Sequence, residues 1–234
     1  MELLNQRLLK IAECLSPCDC LCDIGTDHAF IPIFALENKI AKRAIASDIK
    51  RGPLKIAQKN IELAGLNKEI SIVQSNGFEN FREGDFDVAV IAGMGGHLII
   101  DIISNHLAVA KSCDKIILQP MNDLEFCRVW LFFNGFDIIE ELIALDSSKP
   151  NKLYVVIVAR TSKTPVDFVV EDVLIGPCLK NGQDPMFRKH IAKIVNKRKK
   201  RIAGLKESGS VESLETLQTV EDELDIIQRW VSNL

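Results

Sequence analysis

No apolar stretch in this 234-residue sequence reaches the ~18 residues that a membrane-spanning helix needs. The longest apolar run, 88–100, is interrupted by three glycines and His97, and Asp101 ends it. The N-terminus has no basic region followed by an apolar run, so we expect no secretion signal, no membrane association and a cytoplasmic protein. Internal repeats and low-complexity tracts are also missing. With 47% hydrophobic and 26% charged residues, the composition excludes a disordered or collagen-like chain.

The seven cysteines are an odd number, and in a reducing compartment we expect no structural disulfides. Four of them lie close together: Cys14, Cys18, Cys20 and Cys22. Their spacing does not match the paired cysteines of structural zinc sites. Cys20 and Cys22 point to the same face of a predicted buried strand, where cysteine behaves as a small apolar residue. We therefore predict no metal site.

Short apolar runs alternate with helical patterns along the first two thirds of the chain, after an amphipathic helix predicted over 3–15. The predicted strands cover 20–24, 43–47, 70–74, 86–91, 115–118, 137–145 and 153–160. Helical patterns follow the first, second, fourth and fifth strands, for example over 53–64, whereas none separates the last two. This alternation predicts an α/β fold with a mostly parallel, seven-stranded sheet and an antiparallel strand at its end.

The pattern changes after residue 162, which we take as the end of the first domain. A connector rich in turn signals is predicted over 163–185. Residues 186–234 then show two stretches with apolar spacings of three and four, separated by Ser208-Gly209-Ser210. They predict a C-terminal helical hairpin with antiparallel coiled-coil packing.

The net charge of −3 argues at face value against a nucleic-acid partner, but it conceals two opposed segments. Residues 188–206, the basic arm, hold nine Lys or Arg residues and no acid, and residues 207–234, the acidic arm, hold seven acids and one Arg. Pairing between the arms explains part of this pattern. The basic arm also contains five consecutive cations: Lys197, Arg198, Lys199, Lys200 and Arg201. One partner helix cannot neutralise all five directions, so part of the run faces either solvent or a polyanion.

Unusual residues follow the first two predicted strands. Asp23 ends the first strand, and Gly25 lets a ligand approach the backbone. Asp27 and His28 stand where a pyrophosphate-binding loop would need small residues, which favours a ligand with a positive centre and hydroxyl groups. Asp48, 25 residues after Asp23, ends the second strand and is suited to accept hydrogen bonds from ribose hydroxyls.

The next three strand ends carry weaker signals. Asn76-Gly77 is suited to an adenine edge, or is a common turn pair. Residues 92–96 hold three glycines, which favours the wall of a cofactor and substrate cleft over a merely tight corner. Residues 119–122 offer amides to a nucleobase edge, or form a turn at Pro120. Because ligands bind at this edge of open α/β sheets, the five signals together predict one site.

Five segments resemble the bacterial tRNA adenine-22 N1-methyltransferase family. They are Asp-Ile-Gly-Thr-Asp-His-Ala (23–29), Ala-Ser-Asp-Ile-x-x-Gly-Pro-Leu (46–54), Ile-Ala-Gly-Met-Gly-Gly (91–96), Leu-Gln-Pro (118–120) and Ile-Gly-Pro-Cys-Leu (175–179). The resemblance runs over nearly the whole chain. It implies a Rossmann-like class I methyltransferase that uses S-adenosyl-L-methionine, carries a C-terminal coiled coil and methylates N1 of an adenine in the D-loop region of tRNA. It implies no stable protein partner.

The resemblance also implies site residues. The cofactor's methionine end would be lined by Asp23, Gly25, Asp27 and His28, the ribose held by Asp48 beside Ile49, the adenine contacted by Asn76 and Gly77, and the cleft wall formed by Gly93 and Met94. Gln119, Pro120 and Asn122 would face the target adenine, and the cations of 197–201 the tRNA.

Asp27 and His28 are the catalytic candidates. A carboxylate at Asp27 would stabilise the cationic methylated base, and His28 would orient the cofactor carboxylate or the base, or be a buried structural residue. Where family members often have Gln-Pro-Asn, this chain has Met121 followed by Asn122, so the side chain that reads the target adenine stays open.

Three alternatives remain at this stage. A small-molecule methyltransferase would explain the strand ends but not the basic arm. A dinucleotide-dependent oxidoreductase would need a different phosphate loop. A catalytically silent RNA-binding relative is the non-enzymatic alternative, although the intact glycines and Asp48 speak against loss of the cofactor.

Overall fold

The computed structural model describes residues 4–146, 152–208 and 211–233. The chain divides into two units, Met1–Asp167 and Phe168–Leu234. In the described residues, no helix is long and apolar enough to cross a membrane.

The first unit alternates strands and helices. Its strands are β1 (Cys18–Ile24), β2 (Ala41–Asp48), β3 (Ile70–Gln74), β4 (Val88–Met94), β5 (Lys115–Pro120), β6 (Phe136–Leu145) and β7 (Leu153–Thr161). Its helices are α1 (Gln6–Glu13), α2 (Phe30–Glu37), α3 (Arg51–Ala64), α4 (Gly96–Asn105), α5 (Leu107–Ser112) and α6 (Leu124–Phe133). All the predicted strands are present, and the mostly parallel α/β sheet is confirmed.

The strand order is β3-β2-β1-β4-β5-β7-β6, and β7 is antiparallel to both of its neighbours. The sequence places an antiparallel strand at the end of the sheet, whereas the structure places β7 one position inside and β6 at the edge. The side chains explain this order: residues 153–159 are at most 5% exposed, while β6 alternates and leaves Ile139 and Glu140 open to solvent. A strand that is buried on both faces is typical of a position inside a sheet, although its apolar run alone does not fix that position.

The core of the first unit lies between the sheet and its helices, and it contains one buried ion pair. The Arg128 guanidinium on α6 contacts the Glu141 carboxylate on β6 at 2.8 Å, and neither side chain is exposed to solvent. A buried pair of this kind fixes how its two elements meet, because separating the charges leaves each of them desolvated without the other.

Two hydrogen bonds hold α1 beside β5, one with its donor on β5 and the other with its donor on α1. Lys115 at the start of β5 donates its Nζ to the carbonyl of Cys14, just after α1 ends. In the first turn of α1, Arg7 Nη1 donates to Gln119 Oε1 near the end of β5, at 2.6 Å. The first turn of α1 is therefore carried to the carboxyl ends of the strands.

The second unit contains α7 (Val170–Leu174), a 3-10 turn at Leu179–Asn181, α8 (Phe187–Ser208) and α9 (Val211–Ser232). The hairpin of α8 and α9 is confirmed, with Val220 and Ile227 buried and Phe187 edge-on to Trp230 at 5.8 Å. The predicted turn residues 209–210, and Leu234, lie outside the described residues. Part of the predicted connector, from 168 onward, groups with the hairpin and carries α7, where Lys180 pairs with Asp172.

Candidate functional site

The carboxyl ends of β1 to β5 lie side by side and form what we call the cofactor edge. The register shows this directly: Ile24 of β1 pairs with both Ser47 of β2 and Ile91 of β4. On the outer positions, Asp48 pairs with Gln74 and Ala92 with Gln119. The sequence-predicted residues of the first domain therefore converge at one edge of the sheet.

The turn after β1 has no room for a side chain at Gly25. Gly25 has a φ of +77°, and a Cβ there would lie 1.9 Å from the terminal methyl of Met94. The amides of Gly25 and Thr26 both donate to the carbonyl of Ser47, each at 2.8 Å. The turn thus crosses over the end of β2 while Met94 of β4 covers it, which brings two of the predicted cofactor-binding residues into contact.

Asp23 is the most perturbed carboxyl group of this edge. Its side chain is buried, and the loss of hydration raises its pKa from the usual 3.8 to about 6. A side-chain hydrogen bond with Thr26 lowers that pKa, and the charge of Asp48 raises it. A buried carboxylate of this kind is stabilised by a cationic ligand group.

Asp27 and His28 lie together and are accessible. Asp27 Oδ2 is 3.2 Å from His28 Nε2, with side-chain exposures of 67% and 41%. The His28 ring stacks on Phe30 at 4.9 Å, and its backbone carbonyl accepts a hydrogen bond from Asn60. This exposure does not fit the alternative of a buried structural histidine.

The ends of β2 and β3 present polar groups beside a cavity. Asp48 Oδ1 accepts a hydrogen bond from the Lys50 amide at 2.6 Å, and the adjacent Ile49 side chain is 54% exposed. Gly77 has a φ of +58° and lies against Ile102, where a Cβ would come within 2.8 Å. A cavity of about 420 Å³ opens between the segment after β3 and α4, lined by Asn76, Glu79, Leu98, Asp101, Ile102, Asn105 and His106.

The glycines after β4 pack against the turn after β5. Asn122 Oδ1 accepts a hydrogen bond from the Gly96 amide at 3.0 Å, and the Met121 amide donates to the Met94 carbonyl at 2.8 Å. A Cβ at Gly96 would lie 2.8 Å from the Asn122 carbonyl oxygen. Close packing of two backbones therefore requires glycine at 96, and Asn122 holds the start of α4.

Gln119 has no accessible surface, and both ends of its side-chain amide are already used. Its Oε1 accepts from Arg7, and its Nε2 donates to the Pro120 carbonyl at 2.9 Å. This corrects the expectation that Gln119 contacts the target base, because a buried amide with both groups bonded has nothing to offer a nucleobase. Pro120 is buried too, whereas Met121 and Asn122 are exposed.

Several polar residues at this edge escape sequence reasoning. Ser47 Oγ is buried without a hydrogen-bond partner among the described residues. His97, to which the sequence assigns no role, packs its ring on Phe126 at 4.2 Å and lies 3.8 Å from the Asp123 carboxylate. Burial identifies Ser47 on β2, and the contacts between α4 and the start of α6 identify His97, since the local sequence of both residues has no distinctive spacing.

No group of three His, Cys, Asp or Glu side chains that could hold a metal ion occurs within 4–146, 152–208 and 211–233. The seven cysteines are all free thiols.

Packing against α9 buries one of the five consecutive cations of the basic arm and leaves the other four exposed. Arg198 is 5% exposed, and its Nε donates to Glu223 of α9 at 3.0 Å. This corrects the inclusion of Arg198 among the tRNA-contacting residues, because its guanidinium is committed to the acidic arm. The other four cations of the run are exposed: Lys197, Lys199, Lys200 and Arg201.

Comparison with known proteins gives a consistent result. Residues 4–157 match the family described as "Methyltransferase domain". The chain is 33% identical, over 80% of its own length and 79% of the relative's, to the tRNA (adenine(22)-N(1))-methyltransferase of Bacillus subtilis.

Two solved structures extend the similarity to the second unit. The B. subtilis M1A22 tRNA methyltransferase TrmK has a TM-score of 0.85 at 28% identity, over 97% of this chain and 98% of that one. The Streptococcus pneumoniae protein Sp1610, in complex with S-adenosyl-L-methionine, has a TM-score of 0.80 at 33% identity, over 97% and 99%.

Proposed function

This chain belongs to the tRNA (adenine-22-N1)-methyltransferase family, and from that membership we propose that it transfers a methyl group from S-adenosyl-L-methionine to N1 of adenine 22 in tRNA. The observation that carries the proposal is the cofactor edge, where Asp23, Gly25, Asp48 and Gly93 line one strip of strand ends. The proposed substrate is tRNA, which is a cytoplasmic molecule, so we propose that the protein is cytoplasmic.

The residues at this edge fit the cofactor. Gly25 has no side chain, so its backbone is open to a ligand that displaces the flexible end of the Met94 side chain. Asp23 is a buried carboxylate with no ion-pair partner among the described residues, and the cofactor's ammonium group would supply one. Asp48 has a carboxylate oxygen available for ribose hydroxyls, and the exposed Ile49 lies beside it.

The adenine end of the cofactor is assigned to Asn76 and Gly77. Asn76 lines the cavity of about 420 Å³ next to Ile102. The positive φ of Gly77 turns the chain sharply after β3. A purine is flat and apolar on its faces, and amides suit its edges, so a cavity with Leu98 and an asparagine matches both requirements.

The bound cofactor supplies a methyl group on a sulfonium, and adenine N1 has the lone pair that accepts it. The protein's contribution is therefore mainly to hold the two groups in line. N1 is hidden in a base pair, so the target base must be unpaired or extruded from its stack. We assign the receiving surface to the accessible residues that flank the cleft, Asp27, His28, Met94 and Asn122, because Gln119 and Pro120 are buried.

Methylation makes the adenine ring cationic, and Asp27 is suited to stabilise that charge. The Asp27 side chain is 67% exposed, and its carboxylate lies within hydrogen-bonding distance of the His28 ring. The pair therefore presents to the cleft a negatively charged carboxylate and an imidazole whose orientation the carboxylate can set. Loss of a proton from N6 can then follow without a strong base. We propose Asp27 for this stabilisation and His28 for orienting the base.

The basic arm provides the electrostatic attraction for tRNA. Four exposed cations on one helix concentrate positive charge although the whole chain carries −3. A small-molecule methyltransferase has no use for this arm, and a catalytically silent relative has no use for the intact cofactor edge.

The deciding experiment is methyl transfer to defined tRNA transcripts. The protein is incubated with labelled S-adenosyl-L-methionine and a transcript with adenine at position 22, and nucleosides are then mapped. We expect 1-methyladenosine at that position, and none in a matched transcript with guanine there. Label at another position, or on no transcript, would contradict the proposal.

A further inference from the structure

Arg7 is a half-buried cation at the cofactor edge, to which the sequence assigns no role. The two bonds that hold α1 beside β5 bring its guanidinium from the first helix to the end of the fifth strand. There it lies against the bare backbone of Gly93: a Cβ on that glycine would be 3.4 Å from Nη1 and 3.9 Å from Nη2. The Arg7 side chain, from the first turn of α1, thus borders the proposed methyl-transfer cleft.

The guanidinium is only partly satisfied by the protein. Arginine has five N–H donors and no acceptor. The described residues provide one bond, to Gln119 Oε1, and no carboxylate within ion-pair distance of Arg7. A half-buried positive charge is normally paired with an acid, because its lost hydration is otherwise uncompensated. Among residues 4–146, 152–208 and 211–233, the four other donors have no acceptor, and a ligand can supply one.

The bond to Gln119 sets the direction of the group. Because Arg7 can only donate, the Gln119 amide must turn its oxygen toward Arg7 and its nitrogen toward the Pro120 carbonyl. This arrangement anchors the guanidinium through Nη1 beside Gly93, and among the described residues no acceptor is bonded to Nη2 or Nε. A planar donor fixed in this way suits an oxyanion, which accepts two parallel hydrogen bonds.

We infer that Arg7 is an oxyanion-binding residue of the cleft, which receives either a phosphate of the target RNA or the carboxylate of the cofactor. Both sources present the same chemistry, two oxygen acceptors with negative charge. The inference rests on the proposed function, since it takes its two ligands from that reaction.

The variants Arg7→Met and Arg7→Lys test this, with Lys10→Met as the matched control on the same helix. Lys10 is bonded to Glu13 rather than to any residue of the cleft, so its loss removes an equal charge without touching the site. Thermal unfolding of each variant shows whether it is folded. If Arg7→Met does not fold, Arg7→Lys carries the test, because an ammonium keeps the charge but loses the paired donors.

Binding of a tRNA transcript over a salt series tests the phosphate. We expect Arg7→Met to weaken binding about tenfold and to reduce the slope of log K against log salt by about 1. Arg7→Lys should weaken binding and keep the slope. Binding of S-adenosyl-L-methionine and of its decarboxylated analogue tests the carboxylate: wild type should prefer the intact cofactor, and the Arg7 variants should lose that preference.

Either result supports the oxyanion role and names its source. Unchanged tRNA affinity together with an unchanged preference for the intact cofactor, in folded Arg7→Met or Arg7→Lys, would overturn it. Failure of the proposed function is separate: wild-type protein would then form no 1-methyladenosine on any transcript, while the comparison of the two cofactor forms would still report on Arg7.

Discussion

Replacing Asp23 with asparagine should stabilise the ligand-free protein and abolish its function. In the folded chain, burial raises the pKa of Asp23 from 3.8 to about 6. The native state therefore holds this proton more tightly than the unfolded state, and the group opposes folding increasingly as the pH rises from about 4 to 6. Above pH 6 its unfavourable contribution is constant.

The size of the effect follows from the shift. About two pKa units correspond to about 3 kcal/mol, at 1.36 kcal/mol per unit. Asparagine has nearly the shape of the protonated carboxyl group and no charge to desolvate. Asp23→Asn should thus gain up to about 3 kcal/mol over wild type at pH 8, and the gain should shrink toward zero near pH 4.

Urea denaturation of both proteins between pH 4 and 8 measures this difference, and comparing the two removes the contributions of the other carboxylates. Calorimetry with S-adenosyl-L-methionine at pH 8 should show that the variant no longer binds the cofactor measurably. A variant with wild-type stability at pH 8, or a gain that does not vary with pH, would refute the account of Asp23 as a desolvated carboxylate kept for a cationic ligand.

Three further predictions concern other parts of the chain. Changing the four exposed cations of 197–201 to glutamine should weaken tRNA binding and leave cofactor affinity unchanged. The slope of log K against log salt should fall by up to about 3. The control is Lys206→Gln, which removes a cation that is paired with the acidic arm. Arg128→Met should cost about 3–5 kcal/mol in urea denaturation, because it leaves Glu141 charged and buried. Gly25→Ala should cost about 1–2 kcal/mol in the same measurement, because alanine is strained at a φ of +77°, and calorimetry should show weakened cofactor binding.

The periodicity of the sequence predicts the sheet well because its signal is local. The predicted bounds of β3 are the observed ones, Ile70–Gln74, and β1, β2, β4 and β5 are each followed by the expected helix, whereas β3 leads to β4 without one. The position of β7 could not be read in the same way. Whether a strand lies at the edge or one place inside depends on its neighbours, and both orders are compatible with the same apolar run.

The convergence of the candidate site residues at one edge of the sheet can be predicted for the same reason. Strand ends that share an edge follow from alternation alone, and this places Asp23 and Asp48 together. Bonds between elements far apart in sequence leave no such pattern. The pairing of Arg7 with Gln119 spans 112 positions, and it decides that Gln119 is a supporting residue whereas α1 contributes to the cleft.

The burial of Arg198 determines how the basic arm presents its charge. Successive residues of a helix are turned by about 100° around its axis. Because Arg198 faces Glu223, the directions of its neighbours on the helix are fixed as well. Lys197 and Lys199 then lie on opposite flanks and Lys200 on the outward side, while Arg201, three residues after Arg198, lies beside it on the flank of Lys197. The positive charge wraps around three sides of α8 instead of forming a stripe. Under the proposed function, such a surface would attract RNA from many directions of approach without fixing its angle, and the proposed cleft that accepts the base would set the orientation of the bound tRNA.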